Sequence, residues 1–523
     1  MAHVEQAAAN EQKAGLEEKM AKLRTDDTVA LFEAGEIRLI PIPSDDPNDP
    51  LRTPPWRKKM VIIALCFYTA GSLAVTTSLS PIIPTLIQYY GAIGGPNHPS
   101  PTDVMNLGTY PTLFGGIGAI LSLLAARWIG TRPVLILSSA LLFLCTVWSA
   151  VSRGKDRGLY SNIAARCFVG LGTGAYESVV PLILQDINFI HQRNRALSLV
   201  LGSGGMAGAI FGALSTYITA GLDWRSLYWI INILNALAFI LIVFVVPETT
   251  WARRMVDLTG TSDTDADGYV PSMHPAQPQI SYLRSLRLLS GRGSAMVAWK
   301  TAKDLARSST YPNIIWIVVL NACMSGTTVG STLVISTTLQ SSYNWAPQNV
   351  GLCMLSIAVG ALMKIPISGF AGDAILKYLA KKKNGHLPEH QLLNLILPVV
   401  IGFIGTICYG FFASTAINII STTYTIECYP DLAGVMVIVC GAYRNIIGFG
   451  LTYGAQPFME AVGALRCFGT YAGILGGLGL VGIFFYVMGP AVRRNVNSWK
   501  IRRSAFADAD LSQGDELSTS YHG

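Results

Sequence analysis

The sequence predicts an all-α integral membrane protein with about twelve transmembrane helices arranged as two halves of six. Of its 523 residues, 51% are hydrophobic and 13% are charged, which is about half the charged fraction of an average soluble domain. Apolar stretches of bilayer length occur six times, stop over a polar interval and then resume six times. Two similar helical halves are typical of secondary transporters that bind their substrate near the middle of the bilayer.

Each predicted span approaches the ~20 residues that a helix needs to cross the hydrocarbon core. The spans lie at residues 60–80, 104–126, 133–151, 159–187, 196–218, 224–246, 314–339, 350–370, 392–412, 413–426, 433–454 and 468–488. They divide the chain into an N-terminal tail (1–59), a first half (60–247), a central loop (248–311), a second half (312–490) and a C-terminal tail (491–523).

The polar segments carry their own signals. The N-terminal tail is rich in Glu, Asp and Pro, a composition typical of disorder. In the central loop, residues 282–299 alternate Arg and Leu, which fits either an amphipathic helix on the inner leaflet or a solvated linker with a transient helix. We expect the linker in preference to the helix.

Basic residues cluster beside the span ends. With both termini in the cytoplasm, almost every cluster falls on the cytoplasmic side, as the positive-inside rule requires. The clusters are 57–59, 127 and 132, 193 and 195, 253–254, 381–383 and 493–494, and the exception is the group at 153, 155 and 157. This pattern predicts cytoplasmic termini. It also accounts for the net charge of +7 without a nucleic-acid partner.

The ninth and tenth spans are short. Two spans need ~40 residues before any loop, and the interval from Glu389 to Tyr429 must supply both spans and their turn. The interval predicts either two short helices sunk within the bundle or a deletion in the coding sequence, and we expect the deletion.

The fourth span contains Arg166 and Glu177. An ionisable residue at the bilayer centre costs at least ~2.5–3.5 kcal/mol, so it is usually functional. Their spacing corresponds to about three helical turns, which places both side chains on one face about 16 Å apart. That face must contact protein or water.

Each intramembrane polar residue has a functional and a structural interpretation. Burial disfavours the charged form of a carboxyl group, so Glu177 is either a proton-coupling carboxylate or a structural acid paired with Arg166 or a neighbouring helix. We expect Arg166 to be structural or to set the local field. Arg444 and Asn445 either contact substrate or pair with an acid. Asn321 is a weaker candidate for the path, and Lys364 either contributes there or snorkels to the interface.

Two spans carry glycines at helical spacing. Gly204, Gly208 and Gly212 repeat every four residues in the fifth span, and Gly170 and Gly174 do so in the fourth. Small residues at this spacing allow close helix packing in membranes. We expect packing in preference to gating.

The short loops carry a further signature. Gly130 and Arg132 lie between the second and third spans, and Gly372 and Asp373 follow the eighth. Here the chain resembles the major facilitator superfamily, whose corresponding loop has a Gly, an Asp and basic residues that lock neighbouring helix ends. Asp186 and Arg193 belong to a matching stretch after the fourth span. The resemblance implies a gating role for these residues.

Longer motifs extend the resemblance across residues 45–490. They are 166–177, 181–193, 223–229, 247–253, 384–390 and 443–449. Together they resemble fungal twelve-span drug:proton antiporters of the kind found beside secondary-metabolite genes, which implies the major facilitator fold. The chain departs at Ala125 and Ala126, where the superfamily carries an acid, and at Ala207 and Gly208, where the antiporter signature has Gly-Pro.

These patterns predict a secondary transporter and not an enzyme. The histidines fall in tails or loops, so neither a metal site nor a catalytic histidine cluster is expected within the bundle; they are residues 3, 98, 191, 274, 386, 390 and 522. The absence of a G-x-x-x-x-G-K-[ST] motif leaves ATP-driven pumping unsupported, and a short C-terminal tail argues against a membrane sensor.

The expected function is proton-coupled efflux of a small organic compound, a drug or a secondary metabolite, by alternating access. The proton gradient supplies the driving force without a cofactor. The alternative is proton-coupled uptake of an organic cation or vitamin-like solute. The expected setting is the plasma membrane, as a monomer in the lipid bilayer.

Overall fold

The computed structural model describes residues 32–33, 36–37, 46, 49–91, 99–152, 158–250, 294–341, 344–364, 392–396, 398–400, 421–422, 424–426, 428–429 and 432–520. All structural statements below concern these residues.

The first span is broken by prolines. A hairpin of β1 (Phe32–Glu33) and β2 (Glu36–Ile37) and a 3₁₀ turn at Pro50–Arg52 precede it. Helix α1 (Pro55–Thr77) is then followed by a 3₁₀ turn at Ser80–Ile82 and by α2 (Ile83–Gly91). Pro81 and Pro84 lack the amide hydrogens that would continue the α-helical bonding, which explains the interruption.

Five more helices complete the first half. They are α3 (Pro101–Ile129), α4 (Thr131–Val151), α5 (Gly158–Ile187), α6 (Ile190–Gly221) and α7 (Arg225–Val245). Helix α3 begins at a capping box in which the Ser100 hydroxyl accepts from the amide of Asp103 and the Asp103 carboxylate accepts from the amide of Ser100. This exchange satisfies amide groups that a helix start leaves free.

The amphipathic helix α8 (Ala295–Ser308) lies in the central loop. The second half follows with α9 (Pro312–Ser341), a 3₁₀ segment at Pro347–Met354 that leads into α10 (Leu355–Lys364), α11 (Ala433–Val462) and α12 (Ala464–Ser520).

Nine helices in the described part of the chain are long and apolar enough to cross a membrane. Six belong to the first half, and the other three match the predicted seventh, eleventh and twelfth spans. The predicted all-α membrane architecture is therefore confirmed. Of the predicted ninth and tenth spans, only 392–396, 398–400, 421–422 and 424–426 are described.

Two boundaries differ from the sequence prediction. Helix α8 occupies 295–308, so it overlaps the predicted amphipathic stretch only at its end, while residues 282–293 lie outside the described part. Within 295–299, the part of that stretch that α8 contains, a helix replaces the expected linker. Helix α12 continues to Ser520, well beyond the predicted start of the C-terminal tail at residue 491.

Helix α5 occupies the centre of the bundle. Its apolar window is 78% buried, compared with 33% for α7 and 22% for α12. One large core cluster lies in the first half. A second cluster belongs mainly to the second half but includes Ala119 and Leu123 of α3 and Leu182 of α5. The halves therefore meet along α3, α5 and α11, where the charged residues of α5 can reach the other half.

Candidate translocation site

Glu177 of α5 and Arg444 of α11 form an ion pair that joins the two halves. The Arg444 Nη2 donates to Glu177 Oε1, and Asn445 Nδ2 donates to Glu177 Oε2 at 2.9 Å. Residues 177, 444 and 445 are each 8% exposed. We call these three residues the junction.

Neighbouring residues complete the junction. The Tyr176 hydroxyl donates to Glu177 Oε1 at 2.7 Å, and Arg444 Nε donates to Asn445 Oδ1 at 3.3 Å. Gly441 leaves room for the carboxylate, because a Cβ there would lie 3.1 Å from Glu177 Oε2. Each oxygen of the carboxylate therefore accepts at least one hydrogen bond, as a buried carboxylate requires.

The junction stabilises the contact between the halves because its two charges compensate each other. Removing one member of a buried ion pair costs about 3–5 kcal/mol, because the other charge remains buried without compensation. Movement that separates α5 from α11 would strand Glu177 in the same way, unless a proton or a substrate neutralised it.

Arg166 lies apart from the junction. It is fully buried and donates to the carbonyl oxygens of Leu107 (2.6 Å), Val75 (3.2 Å) and Thr76 (3.4 Å), and to the Tyr228 hydroxyl (3.4 Å). Its hydrogen bonds go to helix backbone and to a tyrosine, whereas Glu177 pairs with the opposite half. The expected structural role of Arg166 agrees with this geometry, but the proposed pairing of Glu177 with Arg166 does not.

The acceptors of Arg166 are carbonyls that helix geometry leaves free. Pro111 within α3 has no amide hydrogen, so the carbonyl of Leu107, four residues earlier, lacks its usual helical donor. Val75 and Thr76 lie in the last turn of α1, where final carbonyls are likewise unpaired. Arg166 thus joins the proline site of α3 to the end of α1.

Polar contacts close one end of the interface between the halves. Ser336 of α9 donates to the carbonyl of Ser80 at 3.0 Å, and Thr216 of α6 donates to the carbonyl of Gln348 at 2.7 Å. Gly351 permits the second approach, because a Cβ there would lie 2.6 Å from the carbonyl oxygen of Ala213. We call this the α6–Gly351 crossing.

Further contacts between the halves lie along α3, α5 and α11. A Cβ at Gly116 would lie 2.7 Å from the carbonyl oxygen of Ala442, and one at Gly434 would lie 2.6 Å from the Leu182 side chain. The junction lies among these contacts, where α5 and α11 meet.

A cleft opens between α3, α9 and α11. Its lining contains hydroxyl, amide and apolar groups but no charged side chain; it consists of Thr102, Met105, Asn106, Thr109, Gly330, Leu333, Thr452, Tyr453 and Ala455. Both halves contribute to it, so its shape depends on their relative position.

Comparison with known proteins identifies the architecture. The family model described as Major Facilitator Superfamily matches residues 60–487. The chain belongs to the major facilitator superfamily. Members are transporters and not enzymes, so this chain is a multi-span secondary transporter that moves a small molecule across a lipid bilayer.

The similar curated proteins are fungal. Protein HOL1 of Saccharomyces cerevisiae is 22% identical, over 89% of this chain and 92% of its own length. The MFS antiporter QDR2 of Candida albicans is 23% identical, over 74% of this chain and 76% of its own length. The expected resemblance to fungal transporters of this superfamily is confirmed.

A solved structure supports the fold. The human organic anion transporter MFSD10 covers 83% of this chain and all of its own length, with a TM-score of 0.54 and 17% sequence identity. At this identity the likeness establishes the fold alone.

The superfamily loop of the first half contains a contact that the sequence did not predict. Gly130 takes a positive φ of 109° at the end of α3. The Glu248 carboxylate accepts from the amides of Thr131 (3.1 Å) and Arg132 (3.2 Å) at the start of α4. Arg132 in turn donates to the carbonyls of Val246 and Val243, both at 2.7 Å. The Glu248 carboxylate therefore caps the start of α4, and the Arg132 guanidinium caps the end of α7.

Glu248 compensates for the missing loop acid. Ala125 and Ala126 stand where the superfamily carries an acid, and the carboxylate arrives instead from the end of α7. This carboxylate belongs to the motif at 247–253, in the sequence Pro247-Glu248-Thr249. Sequence alone did not show that this motif meets Gly130.

The remaining predicted site residues are Asn321, Asp186, Lys364, Arg193, Gly372 and Asp373. Asn321 is 2% exposed and donates to the carbonyl of Ile317 within α9. Asp186 is half-buried near the end of α5. Lys364 ends α10, and Arg193 lies in the first turn of α6, but their side chains are outside the described part; Gly372 and Asp373 lie outside it altogether.

The glycine faces pack against different helices. Gly204 and Gly208 face α1, where added Cβ atoms would lie 2.8 Å from the Thr69 methyl and 2.6 Å from the Thr77 hydroxyl. Gly212 instead faces Met354 of the second half, beside the α6–Gly351 crossing. Gly170 and Gly174 face α3.

Proposed function

We propose that this protein is a proton-coupled exporter of small organic compounds that works by alternating access, with Glu177 as the coupling carboxylate. The observation that carries the proposal is the junction. Its one carboxylate and one guanidinium come from opposite halves and are buried in the middle of the inter-half interface.

The junction links protonation to movement. While the halves are closed, Arg444 compensates the charge of Glu177. When α5 and α11 part, that charge would remain buried without its cation, at a cost of about 3–5 kcal/mol. Uptake of a proton by Glu177 removes the charge, so the protonated junction separates more readily than the ionised one.

The lining of the cleft favours an organic substrate. Pockets for small organic molecules are mostly apolar, with a few polar groups that fix orientation. The cleft lining is of that kind, and the absence of charged side chains among its residues suits an uncharged or amphipathic compound.

The distribution of basic residues supports the proposed orientation in the membrane. The basic clusters favour cytoplasmic termini under the positive-inside rule, and we place the protein in the plasma membrane as a monomer. Its driving force is the proton gradient, without a bound cofactor. Export draws support from the antiporter named among the fungal relatives.

Transport in proteoliposomes tests the coupling. A Glu177→Gln variant keeps a hydrogen-bonding side chain but cannot exchange a proton, so it should exchange substrate at a rate that no longer responds to an imposed pH gradient. An Asp223→Asn variant, which neutralises an exposed carboxylate between α6 and α7, should respond as the parent does. A Glu177→Gln protein that still follows the gradient would remove Glu177 from the coupling step.

Assays in cells test the direction of transport. Cells that lack the gene should retain more of an exported compound and become more sensitive to it, and re-expression should reverse both effects. Reduced accumulation in the deletion strain would overturn export and favour uptake.

A further inference from the structure

Helix α8 presents an apolar and cationic stripe that no described residue covers. Met296 and Trp299 are 80% and 65% exposed, and Lys300, Lys303 and Arg307 are also exposed. Positions 296, 299, 300, 303 and 307 fall on one helix face, because they are separated by three or four residues. We call this surface the α8 stripe.

The opposite face of α8 is fixed to the protein. Thr301, Leu305 and Ser308 are buried, and Leu305 belongs to the core cluster of the second half. The amide of Ser294, just before the helix, donates to the carbonyl of Arg127 at the end of α3 at 3.2 Å. The helix therefore has a defined orientation and packs beside the ends of α3 and α11.

The composition of the α8 stripe matches a membrane surface. A tryptophan and a methionine among lysines and arginines are typical of helices that lie in the headgroup region, where apolar atoms enter the acyl boundary and cations meet phosphates. The Lys303 ammonium lies 5.5 Å from the centroid of the Trp299 ring. Within the described part of the chain, none of the three cations forms an ion pair, and the acid at the edge of the stripe, Asp304, is half-buried.

We propose that the α8 stripe binds anionic phospholipids of the cytoplasmic leaflet. That leaflet carries a negative surface potential, which attracts basic segments beside transmembrane helices by about 1 kcal/mol per Lys or Arg. The assignment to that leaflet uses the orientation proposed above, and binding by the stripe itself does not depend on transport.

Native mass spectrometry of the full chain in detergent tests the proposal. The parent should bind phosphatidylserine more tightly than phosphatidylcholine. Because about 1 kcal/mol corresponds to about fivefold in affinity, Lys300→Gln with Lys303→Gln should weaken phosphatidylserine binding roughly 25-fold. Lys300→Arg with Lys303→Arg, which keeps both charges, should bind as the parent does.

A matched control separates specific binding from general attraction. Arg466 is an exposed cation at the start of α12, on the opposite side of the membrane from the basic clusters in the proposed orientation. Arg466→Gln should therefore leave phosphatidylserine binding near that of the parent, whereas Lys303→Gln, which also removes one charge, should weaken it about fivefold. An equal loss in this control, or no loss in the α8 double variant, would overturn the proposal. All variants alter exposed side chains, and their elution on size exclusion checks the fold. Lipid binding is measured without transport, so its failure leaves the proposed function intact.

Discussion

In a protein that lacks Arg166, replacement of Pro111 in α3 by alanine should raise the free energy of unfolding. In the parent, Arg166 supplies the donor that Pro111 cannot supply to the carbonyl of Leu107. In an Arg166→Met variant that carbonyl is buried and unpaired. Pro111→Ala restores an amide hydrogen four residues beyond Leu107, so the helix can satisfy its own carbonyl.

The expected magnitude follows from that one hydrogen bond. An unsatisfied buried acceptor costs about 1–3 kcal/mol, so Pro111→Ala should recover about that amount in the Arg166→Met background. In the parent, the same change supplies a second donor to a carbonyl that already has one, and it removes the bend to which Arg166 is fitted. We therefore expect Pro111→Ala to be neutral or destabilising there.

The measurement is a double-mutant cycle on the free energy of unfolding in mixed micelles, for the parent, both single variants and the double variant. A coupling of about 1–3 kcal/mol, with Pro111→Ala stabilising only when Arg166 is absent, supports the reasoning. Additive effects would refute it, because they would show that Arg166 does not compensate for the proline.

Three further predictions address the junction and the helix ends. Glu177→Gln and Arg444→Gln should each lower the free energy of unfolding by about 3–5 kcal/mol, and the double variant should lose less than their sum because neither charge is then stranded; additive losses would contradict the pairing. Glu248→Ala should cost about 1–3 kcal/mol, since it leaves the first amides of α4 without their acceptor, and unchanged unfolding would show that this cap is dispensable. Gly351→Val should prevent the close approach at the α6–Gly351 crossing. An engineered cysteine near that crossing should then stay accessible to a membrane-impermeant thiol reagent. In a Gly454→Ala variant, changed at a site with no neighbour within 4 Å, the same cysteine should be labelled as in the parent.

Hydropathy was sufficient to predict the helices of the first half. Each span there is a nearly continuous apolar run, and the bilayer requires a helix of that length. Helix α8 was not predicted, because the linker was favoured over 282–299 and only 295–299 of that stretch lie within the helix. Its buried residues pack on α3 and α11, a tertiary contact that the local sequence does not encode.

The junction was only partly predictable. The cost of burying charge singled out Glu177 and Arg444 separately, since each interrupts an apolar segment. Their pairing depends on how deep α5 and α11 lie relative to each other, and at that contact Gly441 leaves room for the Glu177 carboxylate. The link between Arg166 and Pro111 was predictable in principle, because a proline within a span leaves the carbonyl four residues before it without its helical donor.

Under the proposed mechanism, the number of protons moved per cycle limits how steep a gradient the transporter can sustain. Among the described spans Glu177 is the one carboxylate away from a helix end, and if it alone carries protons each cycle moves one. A pH difference of one unit then supplies about 1.4 kcal/mol, and each 100 mV of membrane potential adds about 2.3 kcal/mol if that proton carries the only net charge moved. Together they support a concentration ratio of roughly 500-fold for an uncharged solute. A larger ratio would require a second titrating group in the cycle.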